Sequence, residues 1–187
     1  MNKTLGKTLA VVASVMLASC GGGGSDSSST TPPTSYWTMN SFTYVDGGFS
    51  SQSTASIGGK PVTVVVVSTA TLAGGDTSNG AYSGGSLSFS FLGTTGGTYN
   101  VVASKATLVS ADPATNPIVV ESNVGVAVTT GSTLYTAASG QVTVTPDASG
   151  KYHFASVAPM ASTKTLDVLG VVVDAPASMA LTIHDAY

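Results

Sequence analysis

Charged side chains are scarce in this sequence, and their scarcity limits what the protein can bind. Only 8% of the 187 residues are charged and none is arginine, whereas about a quarter of an average globular protein is charged. Binding to nucleic acid needs clustered lysine and arginine to neutralise phosphates, and electrostatic docking on anionic lipid needs the same residues. The composition therefore predicts no nucleic-acid partner and no membrane contact driven by charge alone.

Residues that commonly carry catalysis or hold metal ions are equally scarce. The sequence has two histidines, one cysteine and, in Glu121, one glutamate. His153 and His184 each alternate with apolar neighbours, so both are expected to face solvent. Metal sites need several ligands at defined spacing, and no G-x-S-x-G motif marks a nucleophile. We therefore predict no catalytic residue, no metal site, no cofactor and no enzymatic activity.

A short apolar segment precedes the main body of the chain. Lys3 and Lys7 come before an apolar run over residues 9–17, and small residues follow it. A positive start, a short apolar stretch and small residues are typical of an export signal. The run is about half of the roughly 20 residues that a membrane-spanning helix needs. We therefore expect residues 1–19 to be a signal peptide.

The cysteine follows this segment directly. Leu17-Ala18-Ser19-Cys20 resembles the lipobox of bacterial lipoproteins. The resemblance implies cleavage before Cys20, a diacylglyceryl group on its thiol and an acyl chain on the new amine, and several acyl chains make anchoring stable. In the same family, Gly21 in place of an aspartate implies the outer membrane. The resemblance thus implies an envelope lipoprotein attached to the outer membrane through Cys20, on either its periplasmic or its surface side.

Residues 20–35 separate this anchor from the body. After Cys20 they are almost entirely glycine, serine, threonine and proline. Such a segment cannot bury enough apolar surface to fold, so we expect a flexible tether leading to a single domain over residues 36–187. Without residues 1–19 the chain keeps four lysines against nine acidic residues, a net charge of 4 − 9 = −5.

Residues 36–187 show the alternation that is typical of β-strands. Leu87, Phe89 and Phe91 alternate with serines, and the same period recurs at residues 142–145 and 179–183. Glycine, aspartate, asparagine and proline separate these runs, and no segment shows a convincing helical period. The pattern predicts an all-β domain of roughly nine or ten strands, either an antiparallel β-sandwich or a small closed barrel.

Three turns are predicted from local signals. Asp46-Gly47 follows an aromatic-rich strand over residues 36–45 and is a strong hairpin signal. Segments 83–101 and 139–154 both run from Ser-Gly through an alternating strand to a second strand that opens Gly-x-Tyr, so each is predicted to be a hairpin. With the lipobox and the tether, these two segments resemble β domains of lipoproteins from Gram-negative bacteria. This resemblance implies no catalytic residues.

Aromatic residues crowd the start of the domain. Trp37 and Met39 share one parity along the chain, while Phe42 and Tyr44 have the other. A strand with two apolar faces either lies centrally in the core or uses one face to contact a ligand or a partner. These four residues are the candidate contact residues.

Two functions follow from these patterns. The first is a non-catalytic interaction or structural protein of the envelope, marked by an exposed aromatic patch over a filled core. The second is a carrier or binding barrel for a small apolar ligand, marked by an open interior lined by residues such as Trp37, Phe89 and Phe91. The expected partners of the protein are the membrane, through the acyl chains on Cys20, and either another protein or a small apolar ligand.

Overall fold

The structure is a computed structural model that describes residues 35–69, 79–125, 131–168, 172 and 174–187. The predicted signal peptide, Cys20 and all of the predicted tether except Ser35 lie outside the described residues. Those that are described belong to one compact unit, Pro32–Tyr187. No helix among them is long and apolar enough to cross a lipid bilayer.

The described residues form eleven strands, one short α-helix and two single-turn 3-10 helices, Gly80–Tyr82 and Pro113–Thr115. The helix, α1, spans Lys105–Ser110. The strands are β1 (Tyr36–Met39), β2 (Phe42–Ile57), β3 (Lys60–Thr69), β4 (Gly85–Leu92), β5 (Gly97–Val101), β6 (Pro117–Val124), β7 (Ser132–Ala137), β8 (Gln141–Pro146), β9 (Tyr152–Ser156), β10 (Met160–Val168) and β11 (Ser178–Asp185). The prediction of an all-β domain is confirmed.

Eight of the strands close into an antiparallel barrel. Around the ring the order is β4, β3, β2, β1, β11, β10, β7 and β6, and pairing of β6 with β4 closes it. The first strand, β1, lies between β2 and β11. Of the two architectures that the sequence leaves open, the structure therefore has the closed barrel.

One long, bent hairpin contributes β7 and β10 to the barrel and β8 and β9 to the part of the sheet outside the ring. β7 leads into β8 and β9 leads into β10, so that β7 pairs with β10 and β8 pairs with β9. At the bend the N–H of Ala138 donates to the carbonyl of Ala161, and the N–H of Val157 donates to the carbonyl of Gln141. β5 inserts between β8 and the start of β6, where β5 and β6 form the one parallel pair among the described strands.

Large side chains from the barrel strands and from β5 and β9 pack into one apolar core. The rings of Phe89 and Phe154 stack with their centroids 3.7 Å apart, and Phe91 meets Tyr99 and Tyr152 edge-on at 5.3 Å each. All three phenylalanines are fully buried. The alternation predicted in β4 is confirmed, because its aromatic residues face this core while the serines between them point to the other face.

The helix covers part of the outer face of the sheet. The Ser104 side chain caps it by accepting a hydrogen bond from the N–H of Thr107. Leu108 is fully buried and packs in a second apolar cluster with Val62 and Val119. A helix of six residues is too short to show its period in the sequence, so the pattern did not predict it.

The predicted hairpin at Asp46-Gly47 is wrong. The turn lies at Asn40-Ser41, where Asn40 adopts a positive φ of 52° that asparagine tolerates better than most residues. Asp46 pairs with Thr69 and begins a bulge inside β2. Glycine favours bulges as well as turns, which is why the same two residues fit both structures.

Of the two similar hairpins predicted from the sequence, one is confirmed. β8 and β9 pair as expected. β4 and β5 do not pair with each other, because β4 lies between β3 and β6 while β5 lies beside β8. The Gly-x-Tyr strands β5 and β9 therefore flank the same strand, β8, from its two sides.

Candidate functional site

The four residues predicted as contacts lie in or against the core. Trp37 and Tyr44 stack with their ring centroids 5.8 Å apart, and Met39 is buried in the same cluster. Phe42 is half-buried and stacks on Tyr82 at 4.3 Å. These are the surroundings of core residues, so burial gives no support to a contact role, which stays a prediction.

Two core tyrosines serve as structural hydrogen-bond donors. The Tyr44 hydroxyl donates to the carbonyl of Tyr82 at 2.8 Å, and the Tyr135 hydroxyl donates to the carbonyl of Pro176 at 2.9 Å. Burial raises the pKa of Tyr44 far above its usual value and that of Tyr135 to about 12. Both hydroxyls therefore keep their protons at neutral pH and donate to the carbonyls of Tyr82 and Pro176.

Strand β2 is much longer than its neighbour β1, and this leaves part of one edge open. β1 pairs with β2 over residues 42–45 only, while β3 pairs with the other edge as far as Ile57. Residues 49–57 therefore have no strand on the β1 side within the described parts of the chain. A row of unpaired backbone groups of this kind is a template for another strand.

The turn after β2 determines which backbone groups face the open side. Gly58 and Gly59 have φ values of 56° and 77°, as in a two-residue type I′ turn. Such a turn is closed by a hydrogen-bonded pair, here Ile57 and Lys60, and bonding alternates from there along the strand. Odd-numbered residues thus bond to β3, and even-numbered residues direct N–H and C=O groups outward. The outward residues are Ser50, Gln52, Thr54 and Ser56.

The sequence of the open edge lacks the charge and the proline that usually prevent strand addition. Residues 49–57 read Phe-Ser-Ser-Gln-Ser-Thr-Ala-Ser-Ile, with no charge and no proline. Proteins commonly protect an exposed edge with lysine, proline, a bulge or a covering loop. The bulge of β2 lies at the very start of this segment, between Asp46 and Phe49. The edge beyond it is therefore chemically competent to accept a strand.

Phe49 stands at the start of the open edge and is conspicuously exposed. Its side chain is 66% exposed, the largest value among the described large apolar residues. It borders a shallow surface depression of about 260 Å³ that Ser51, Val66 and Ser68 also line. An exposed aromatic ring next to unpaired backbone is the combination that strand-adding partners use, since backbone bonds hold the strand and side chains select it.

The edge of β9 differs, because residues after β11 cover it. Phe154 and Ala186 exchange two backbone hydrogen bonds. His153 Nδ1 lies 3.1 Å from Asp185 Oδ1, and the imidazole stacks on the ring of Tyr187 at 4.3 Å. These contacts occupy the side of β9 that β8 leaves free.

Asp147 secures the turn that leads into β9. Its Oδ1 accepts hydrogen bonds from the Ser149 hydroxyl at 2.7 Å and from the backbone N–H groups of Ser149 at 2.7 Å and Lys151 at 3.0 Å. The bond from the Ser149 hydroxyl is the largest reason why the pKa of Asp147 lies below its usual value. Its Oδ2 lies 3.7 Å from His153 Nε2.

The sequence pattern predicts an outward-facing His153 but not its two acidic partners. Asp185 reaches it from another strand, so no spacing along the chain could reveal the contact. The Ser149 hydroxyl bonds to Asp147 and not to His153, and the imidazole lies between carboxylates. This arrangement joins two chain segments, and it lacks the serine-to-histidine bond of a nucleophilic triad.

Comparisons with known proteins add no function to this geometry. No protein-family model, no curated protein and no solved structure matches the chain. Within the ranges that the structure describes, no group of three or more histidine, cysteine, aspartate or glutamate side chains could hold a metal ion. The open edge of β2 with Phe49 is therefore the candidate site.

Proposed function

We propose that this protein is a lipid-anchored, non-catalytic envelope protein that binds a partner through the open edge of β2. The observation that carries the proposal is the uncharged edge over residues 49–57, headed by exposed Phe49. Strand addition at such an edge derives affinity from main-chain hydrogen bonds and specificity from neighbouring side chains. The resemblance of residues 17–20 to a lipobox supports the anchor, and a flexible tether would let the edge reach its partner.

A carrier for a small apolar ligand is the second candidate. Closed β-barrels are a common architecture for such carriers. In this barrel, however, Trp37, Phe89 and Phe91 are fully buried in one packed apolar cluster, and the ring of Phe154 stacks on that of Phe89. This packing among the described residues favours the interaction protein over the carrier.

Metabolic labelling tests the anchor. In a bacterial host given an alkyne-bearing fatty acid, the full chain is expected to take up the label and to sediment with membranes. Cys20→Ser should abolish both, while the matched variant Gly21→Ser should retain them because it keeps the thiol. An unlabelled wild-type chain would rule out the anchor and leave the edge proposal to its own test.

Photo-cross-linking in intact cells tests the edge. A photoreactive amino acid at Thr54, which faces the open side, is expected to give a discrete cross-linked product. The same group at Ala180, exposed on β11, is the control and should give none. If Thr54 gives no product while the chain remains folded and in the envelope, the proposed interaction through this edge is wrong.

A further inference from the structure

The open edge of β2 is self-complementary in one antiparallel register. We infer that its partner is the same edge of a second copy of this chain, an inference that rests on the proposed function. With Ser53 opposite Ser53 of the second copy, all nine residues of segment 49–57 find a partner. Residue 50 then faces 56 and residue 52 faces 54, so the outward backbone groups of both copies meet in hydrogen-bonded pairs.

The same register covers the exposed aromatic ring. Phe49 comes to lie opposite Ile57 of the second copy, at both ends of the shared ladder. These positions form a non-hydrogen-bonded pair, in which side chains approach each other most closely. Shifting the register by two residues would place Ala55 or Gly59 opposite Phe49 and leave its ring, 66% exposed in the single chain, without a large apolar partner. Side-chain size therefore selects one register.

Charge also favours a second copy in this orientation. The edge itself is uncharged, so two copies do not repel each other along it. The nearest charges are of opposite sign, with Asp46 before the edge and Lys60 after it. Antiparallel pairing brings the Asp46 end of each copy towards the Lys60 end of the other.

A shared membrane would strengthen this pairing. Two copies anchored to one bilayer meet at a much higher effective concentration than two copies free in solution. Pairing across a single strand edge is small for a stable interface, so the anchor supplies what the contact area lacks. The full, anchored chain is consequently the right material for the test.

Cysteine cross-linking tests the inference in the envelope. Ser53→Cys places two thiols opposite each other, where Cα atoms of a non-hydrogen-bonded pair are about 4.5 Å apart and a disulfide fits. Ala55→Cys is the matched control, because the two copies of residue 55 would lie about 13 Å apart along the strands. Mild oxidation is expected to yield at least about ten times more dimer for Ser53→Cys. The wild-type chain, with Cys20 as its only cysteine, gives the background.

The outcomes separate this inference from the proposed function. Equal dimer yields for the two variants, or no dimer, would overturn pairing between copies. If Thr54 still gives a photo-cross-linked product under those conditions, the edge binds a different protein and the proposed function stands. If Thr54 also gives no product, both fall.

A charge variant supplies an independent measurement. Ser53→Glu would set two carboxylates directly opposite each other in the dimer, whereas exposed residue 53 tolerates either side chain in the single chain. The neutral control is Ser53→Gln. By energy transfer between labelled full chains anchored together in lipid vesicles, we expect dimer dissociation at a surface density at least about tenfold higher for Ser53→Glu than for Ser53→Gln, and a smaller gap in high salt. Equal dissociation of both variants would overturn the inference.

Discussion

Strands β2 and β9 each have an edge that the barrel wall does not pair, and the chain treats these two edges differently. The edge of β9 carries the contact between His153 Nδ1 and Asp185 Oδ1 and the two backbone hydrogen bonds between Phe154 and Ala186. The edge of β2 over residues 49–57 carries serine, threonine and glutamine between Phe49 and Ile57. Within the described residues, titratable side chains and a covering backbone segment thus lie along the β9 edge, whereas residues 49–57 carry no charge and pair with no strand on their open side.

Lying at an edge outside the barrel pairing does not by itself leave a strand uncovered in this chain. The same chain covers the β9 edge with only a few residues beyond β11. A longer β1, or one lysine among residues 49–57, would protect β2 in the usual ways. Within the described residues, the chain therefore closes the β9 edge and leaves the β2 edge open, and the proposed function depends on this difference.

Replacing the phenylalanine at each edge gives the largest expected contrast. Phe154→Ala removes a fully buried ring that stacks on Phe89, so the free energy of unfolding should fall by about 3 to 5 kcal/mol. Phe49→Ala removes an exposed ring and should change it by less than about 0.5 kcal/mol. Urea denaturation measures both. Similar losses of unfolding free energy for the two variants would mean that Phe49 is a core residue and that the two edges do not differ as described.

Proline substitution at adjacent positions of β2 should show a smaller contrast. Ser53 bonds to β3, so Ser53→Pro removes an N–H from the ladder and is expected to cost about 1 to 3 kcal/mol. Thr54 directs its N–H to the open side, where proline is tolerated, so Thr54→Pro should cost at most about 1 kcal/mol. Urea denaturation at a protein concentration too low for self-association measures the free energy of unfolding of both variants. A reversed order would show that the assigned bonding parity is wrong.

Lowering the pH should affect the β9 edge and not the β2 edge. We expect this contrast to be the smallest of the three. Because the folded-state pKa of Asp147 is lowered, its stabilising contribution is present above the usual aspartate pKa of about 3.9 and is lost as pH falls through the folded value. The amide protons of Ser149 and Lys151, which donate to this carboxylate, should shift with that titration in NMR spectra. Those of Ser50 and Gln52 should not follow it, since no titratable group lies on the open edge. Asp147→Asn, the control, should abolish the shift.

Sequence patterns were sufficient for elements whose signal is local. Alternation identified β4, β8 and β11, since each needs only one apolar face against the core. Sequence patterns failed where two local structures share one signal, as at Asp46-Gly47, which forms a bulge and not a turn. The six-residue helix α1 lacked the length for a period, although Ser104 before it is a typical cap.

The candidate site depends on lengths and neighbours that no local pattern encodes. Whether residues 49–57 are paired depends on where β1 begins and on which strand lies beyond it. The aromatic-rich stretch over residues 36–49 is visible in the sequence. Whether its residues are buried, as Trp37 and Tyr44 are, or exposed, as Phe49 is, depends on the turn at Asn40-Ser41 and on the bulge. The contact of His153 with Asp185 likewise arises only when β9 and β11 meet.

The position of β1 between β2 and β11 has a consequence for the order in which the chain folds. Asn40 and Ala180, which bond to each other at this seam, are 140 residues apart in sequence. The bent hairpin from β7 to β10 can form from neighbouring segments, but contacts at such a separation form slowly and late. The barrel can therefore close only after β11 has been synthesised. A nascent or truncated chain without β11 would have two further unpaired strand edges, on β1 and β10. Its aromatic core would then be accessible to proteases and could drive aggregation.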